Sequence, residues 1–232
     1  MIELYKFVPQ FGLRDASPFA LKLETYLRLA GLDYTAHEVM DPTKAPKAKI
    51  PYIVDGEQTI ADSSLCISYL KDKYGDPLGE NLSPAQHAIG HALKTMLEER
   101  TYWVIVNTRW MDEDNQKLIK STWFGEIPGL FRGFIFGKII KDMKKTMYGH
   151  GIGRHSSAEI MGFGLADIAC LESVLGNKPY LLGDSPSEYD ASGYGFLANI
   201  MAKPFPTAMS DYITNSKTLP AYIERVQAKA FG

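Results

Sequence analysis

The chain has 232 residues, room for one large domain or two smaller ones, each with its own core. With 45% apolar and 22% charged residues it is not a disordered chain, and a formal net charge of −2 gives no overall attraction to nucleic acid or to anionic lipid. Its two cysteines, Cys66 and Cys170, make neither a disulfide framework nor a metal cluster, and they suit a reducing compartment.

Ile2 to Phe7 reads as a strand ended by Pro9 and Gly12. The N-terminus lacks the apolar core of a signal peptide, which suggests a cytoplasmic protein. Ser17-Pro18 then opens a helix in which Phe19, Leu23, Leu27 and Ala30 recur at near-helical spacing, and Gly31 stops it. Tyr34 to Val39 reads as a second strand, and Asp41 to Lys49, with Pro42 and Pro46, as a loop. Pro51 begins a hairpin that turns at Asp55-Gly56 and closes at Ala61. Asp62 or Ser63 caps the next helix, whose buried stripe is Leu65, Cys66, Tyr69 and Leu70, and Gly75 ends it.

Up to Gly75 the order is therefore β-α-β, loop, β-β-α, an α+β unit with one mixed sheet. Gly75 to Pro84 has the composition of a linker, and the rest reads as helices. A long one runs from Ser83 or Pro84 to about Asp112. Others follow over about Asn115 to Tyr148, with breaks near Pro128 and Gly129, then Arg154 to Leu175, Ser187 to Met201, Phe205 to Ile213 and Leu219 to Ala230. Gly129 to Ile140 is the most apolar of these segments, too short for a membrane span and expected to be buried. The division is 1–76, linker 77–84, and an all-helical domain 85–232.

This order resembles the glutathione transferases, and three motifs carry the resemblance: Ile50-Pro51 with its hairpin and Asp62-Ser63; Leu181 to Leu197, with Gly183-Asp184 and Ser187-x-x-Asp190; and Thr218 to Val226. The combination of Ser17 to Leu32 with Glu99 to Trp110 looks most like the branch that includes failed-axon-connections and metaxin-like proteins. The resemblance implies a thioredoxin-like α+β domain followed by an all-α domain, with glutathione as cosubstrate and no other cofactor. It also implies a homodimer and a small apolar electrophile as second substrate. On its own, Pro51 is equally readable as the start of an edge strand and Asp62-Ser63 as a plain helix cap. In the family the prolyl peptide is cis, the main chain of Ile50 pairs with the cysteinyl backbone of glutathione, and the helix start at Ser63 takes the γ-glutamyl carboxylate. Asp62 would then face the α-ammonium.

Conjugation needs a thiolate, and a hydroxyl at a helix N-terminus can stabilise one. Proline pushes Ser17 out of helical geometry and becomes the first helical residue itself, so Ser17 is the cap. As a cap alone it is worth about 1 kcal/mol; in this fold it is the candidate catalytic residue. "SPFA" stands where cysteine-type relatives have a Cys, so Ser17 and Ala20 remove protein thiol–disulfide chemistry. Tyrosine-type relatives carry their Tyr where this chain has Lys6, and Tyr5 falls on the other strand face. Tyr102 and Arg109 are candidates for the electrophile pocket, and Phe124, Phe131, Phe134 and Phe136 for an apolar wall or for helix core. Both cysteines should be inert, the histidines show no metal-ligand spacing, and Ser187 and Asp190 should serve folding. Two further readings fit the resemblance: a non-catalytic metaxin-like interaction protein, or a glutathione-dependent reductase without a protein cysteine.

Overall fold

The computed structural model describes residues 1–232, the side chain of Leu130 excepted. Strands β1 (Ile2–Phe7), β2 (Tyr34–Val39), β3 (Tyr52–Asp55) and β4 (Gln58–Ala61) form one sheet in the order β2-β1-β3-β4, parallel between β1 and β2 and antiparallel elsewhere. Helices α1 (Pro18–Leu29) and α2 (Ser63–Tyr74) complete a thioredoxin-like domain. Ile2 and Leu4 alternate inward with the strand period and meet Leu23, Tyr26, Leu27, Ile53, Cys66, Ile67 and Leu70 in a common core. The stripe of α2 is thus Cys66, Ile67 and Leu70, on the face that Ser63 begins; Leu65, expected inside, is half exposed because helical spacing turns it away from that face.

The all-helical part begins at Pro84. It holds α3 (Pro84–Met96), α4 (Tyr102–Met111), α5 (Glu113–Phe124), α6 (Gly129–His150), α7 (Ser157–Leu175), α8 (Glu188–Ile200), α9 (Ala208–Asn215) and α10 (Leu219–Phe231). Between α3 and α4 lies one π-helical segment, Leu97–Thr101, so the expected long helix is continuous but widened in the middle. Helix α8 is buried along nearly its whole length. Gly195 lets it lie against α1: a Cβ there would stand 2.7 Å from the Pro18 carbonyl oxygen.

Ser187 and Asp190 form the capping box that their spacing predicts. The Asp190 carboxylate accepts hydrogen bonds from the Ser187 N–H (2.8 Å), the Ser187 hydroxyl (2.7 Å), the Leu181 N–H (2.8 Å) and the Tyr222 hydroxyl (3.1 Å). It thereby ties the loop before α8 and helix α10 to one buried point. Cys66 is buried, its thiol pushed up to about 12 by burial, whereas Cys170 is exposed rather than among core neighbours because it falls on the outer face of α7. Phe136 is buried, but Phe131 and Phe134 are exposed, so α6 is not the buried helix its composition suggests.

Asp190→Ala strands these donors in the interior and should lower the unfolding free energy by about 3 kcal/mol or more, read from urea denaturation. A change under about 1 kcal/mol would contradict this role.

Candidate functional site

The first turn of α1 is the meeting point of the expected site residues. Ser17 caps it, with extended backbone (φ −93°, ψ 120°), and its Oγ accepts the Ala20 N–H at 3.4 Å. An oxygen used only as an acceptor keeps its own proton to donate. Ser17 is half-buried, so a ligand can reach it. One turn on, Ala20 packs against Ile50, and Lys22 donates to the Ser64 hydroxyl at 3.0 Å. The helix therefore touches both the prolyl loop and the start of α2.

Ile50–Pro51 is a cis peptide. The Ile50 side chain is buried, and its main chain lies just ahead of β3, outside the sheet ladder. Asp62 is the N-cap of α2: its Oδ1 accepts from the Ser64 N–H (2.8 Å) and the Leu65 N–H (3.2 Å). One carboxylate oxygen is thus already occupied by the helix, which limits what remains for an ammonium. Ser63, the first helical residue, is almost wholly buried, and its hydroxyl makes no hydrogen bond among the described residues. Three non-glycine residues have positive φ: Phe11 (57°), Ala48 (51°) and Asp62 (92°). Asp62 is the cap of α2 itself, Ala48 lies two residues before Ile50, and Phe11, in the loop that leads to Ser17, packs on Trp123 and Phe205.

The loop before Ser17 is held from both sides. Asp15, fully buried, accepts from the Phe7 N–H (2.9 Å) and the Ser17 N–H (2.7 Å). Arg109 donates to the Ala16 carbonyl (2.7 Å), and Asn199 donates to the Asp15 carbonyl (3.3 Å). Arg109 also donates to the Asn199 carbonyl (2.7 Å) and side-chain oxygen (3.0 Å), and it lies over the Phe205 ring. Burial pulls its guanidinium down to about 10. This corrects the pocket assignment of Arg109: with 4% exposure and its donors committed, it faces the protein interior rather than a cleft. Tyr102 remains half-buried beside the site, edge-on to Phe19 (5.0 Å), with its hydroxyl making no hydrogen bond among the described residues. Phe124 and Phe136 pack edge-on at 5.5 Å in the cluster that holds Trp110 and Trp123, as core.

Lys6, at the tyrosine-type position, is buried and donates to Glu24 (2.9 Å) and to the Arg14 carbonyl (2.8 Å). Arg14 donates to the same Glu24 (3.1 Å). Tyr5 stacks on Tyr52 and His37 across the other sheet face. Sequence reasoning missed Lys22. It is fully buried, with its ammonium 2.6 Å from Glu98 in the π-helical segment, and burial lowers its pKa against that attraction. Its spacing from Phe19 and Tyr26 places it on the apolar stripe, the one available signal. A depression of about 510 Å³ is lined by Glu172 of α7, Tyr212 of α9, Ser216 and Thr218, and Glu172 accepts from all three hydroxyls.

Burial raises the Asp15 pKa to about 7, against the opposing effects of the Ser17 N–H, Lys6 and the Phe7 N–H. An unfolded aspartate releases its proton near 3.9. Between these values the folded protein binds more protons, so stability falls as pH rises from about 4 to about 7 and then levels. Asp15→Asn should remove a pH 5-to-8 loss of the order of 2 kcal/mol, measured by urea denaturation at both pH values. An unchanged pH dependence would contradict it.

Two family profiles match the chain: "Glutathione S-transferase N-terminal domain" over residues 18–115 and "Glutathione S-transferase, C-terminal domain" over residues 164–226. The isoprene-epoxide–glutathione S-transferase of Rhodococcus sp. strain AD45 is 32% identical, over 98% of both chains. Failed axon connections of Drosophila melanogaster is 30% identical over all of this chain, which spans 58% of that protein. Human metaxin-1 is 24% identical over 99% of this chain, which spans 51% of it. Among solved structures, a glutathione S-transferase of Methylobacterium radiotolerans JCM 2831 in complex with glutathione sulfonate superposes with a TM-score of 0.65 at 15% identity, covering 98% of this chain and 90% of that one. The thioredoxin-like sheet, the helical domain and these similarities together make the chain a member of the glutathione transferase superfamily.

Proposed function

We propose that the protein is a glutathione transferase of the serine type, which activates the glutathione thiol through Ser17 and adds it to a small apolar electrophile. The observation that carries this reading is the Ser17 hydroxyl: half-buried, at the start of α1, free to donate, and in a loop anchored by Arg109, Asn199 and Asp15. The main chain of Ile50 would pair with the tripeptide, and the N-terminus of α2 at Ser63 would receive its γ-glutamyl carboxylate. The hydroxyl donates to the sulfur as its proton leaves to solvent, and the helix end favours the resulting anion. The thiolate then attacks an electrophilic carbon, and the leaving atom carries away the electron pair of the broken bond. An epoxide is the electrophile named for the Rhodococcus relative; here it would open to an alkoxide that takes a proton from water. Tyr102 and Phe19 would offer the apolar edge of the second-substrate cleft.

The similarity to Failed axon connections and metaxin-1 supports a second reading, an interaction protein on the same fold. A glutathione-dependent reductase is a third, recognised by release of oxidised glutathione. Retention on immobilised glutathione and conjugation of several small epoxides separate them. Ser17→Ala should lower kcat/KM by about 100-fold or more while retention persists, and Ser63→Ala should weaken retention. No retention of the wild-type protein would instead favour the interaction protein.

A further inference from the structure

We infer that the outer face of α6 is a docking surface for an anionic lipid bilayer. The helix has two apolar faces. One is closed: Phe136 and Met147 are buried, and Phe136 packs with Phe124 and Trp110. The other is open, with Phe131 61%, Phe134 77% and Ile135 37% exposed on adjacent turns. Large aromatic side chains are rarely left in water without a partner.

The charges on the later turns of the helix identify the partner. Lys138 lies three residues after Ile135 and four after Phe134, so it continues the same face; Lys141 and Lys145 extend it at helical spacing, and all three are exposed. The helix carries Arg132, Lys138, Lys141, Lys144 and Lys145 against a single acid, Asp142, in a chain whose net charge is −2; on the open face itself Lys138, Lys141 and Lys145 outnumber Asp142, while Arg132 turns back to the Gly125 and Ile127 carbonyls. Positive charge is therefore segregated here, against an otherwise acidic molecule. An aromatic end followed by lysines is the pattern of a helix that lies in the plane of a membrane surface. Its rings enter the headgroup boundary, and its lysine stems run along apolar surface with their ammonium groups on lipid phosphates. No helix among the described residues is long and apolar enough to cross a bilayer, so the contact is in-plane.

The test is co-sedimentation of the full chain with vesicles of phosphatidylcholine alone or mixed with phosphatidylserine. Wild-type protein should sediment with the mixed vesicles and stay in solution with phosphatidylcholine, and high salt should release it. Lys138→Gln with Lys141→Gln should weaken binding about thirtyfold, and Phe131→Ser with Phe134→Ser by about tenfold or more. Both pairs are on exposed positions, and retention of the circular dichroism spectrum verifies folding. Wild-type protein that ignores the mixed vesicles overturns the proposal, as does binding that neither pair alters. A dimer that the phenylalanine pair dissolves, with no vesicle binding, assigns the face to a second copy and overturns it too.

Discussion

Two main-chain carbonyls, those of Asp15 and Ala16, set the architecture of this protein. They lie where the sheet domain meets the helical domain, and buried carbonyls need donors. Arg109 of α4 and Asn199 of α8 supply them. A buried guanidinium in turn needs acceptors, which the Ala16 carbonyl and Asn199 provide. Neither side of the junction satisfies itself. The loop leading to Ser17 is consequently seated only when α4 and α8 are in place, and the close approach of α8 to α1 at Gly195 brings them there.

A second junction repeats the logic with charge. Lys22 on α1 sits without exposure beside Glu98 of the π-helical segment and Ser64 of α2. The widened turn also carries Arg100 and Thr101, whose side chains bond the buried Asp167 of α7. Removing Glu98 leaves the buried Lys22 ammonium without its counter-charge, a cost of about 3–5 kcal/mol. The π-helical segment thus connects α1, α2 and α7, and it stands immediately before Tyr102.

Much of this was readable from the residues. Strand period, the Ser17-Pro18 cap, the Asp55-Gly56 turn and the Ser187-x-x-Asp190 cap are local signals, and the elements they predict stand where expected. The features that were not readable depend on partners distant in the chain. Arg109 looks like a cleft residue until Ala16 and Asn199 are brought to it across about 90 positions. Lys22 hides on an apolar stripe because Glu98 lies on another helix. For α6 composition misleads, since apolar residues are found on both its faces and only tertiary packing decides which one is covered.

The central claim is that the anchored Ser17 hydroxyl lowers the pKa of the bound glutathione thiol. Ultraviolet titration of the thiolate in the binary complex tests it most directly. The account predicts a midpoint at least one unit below the free-thiol value of about 8.5, returning towards that value in Ser17→Ala and part of the way in Asn199→Ala. A complex that forms in all three proteins with one common midpoint would contradict it.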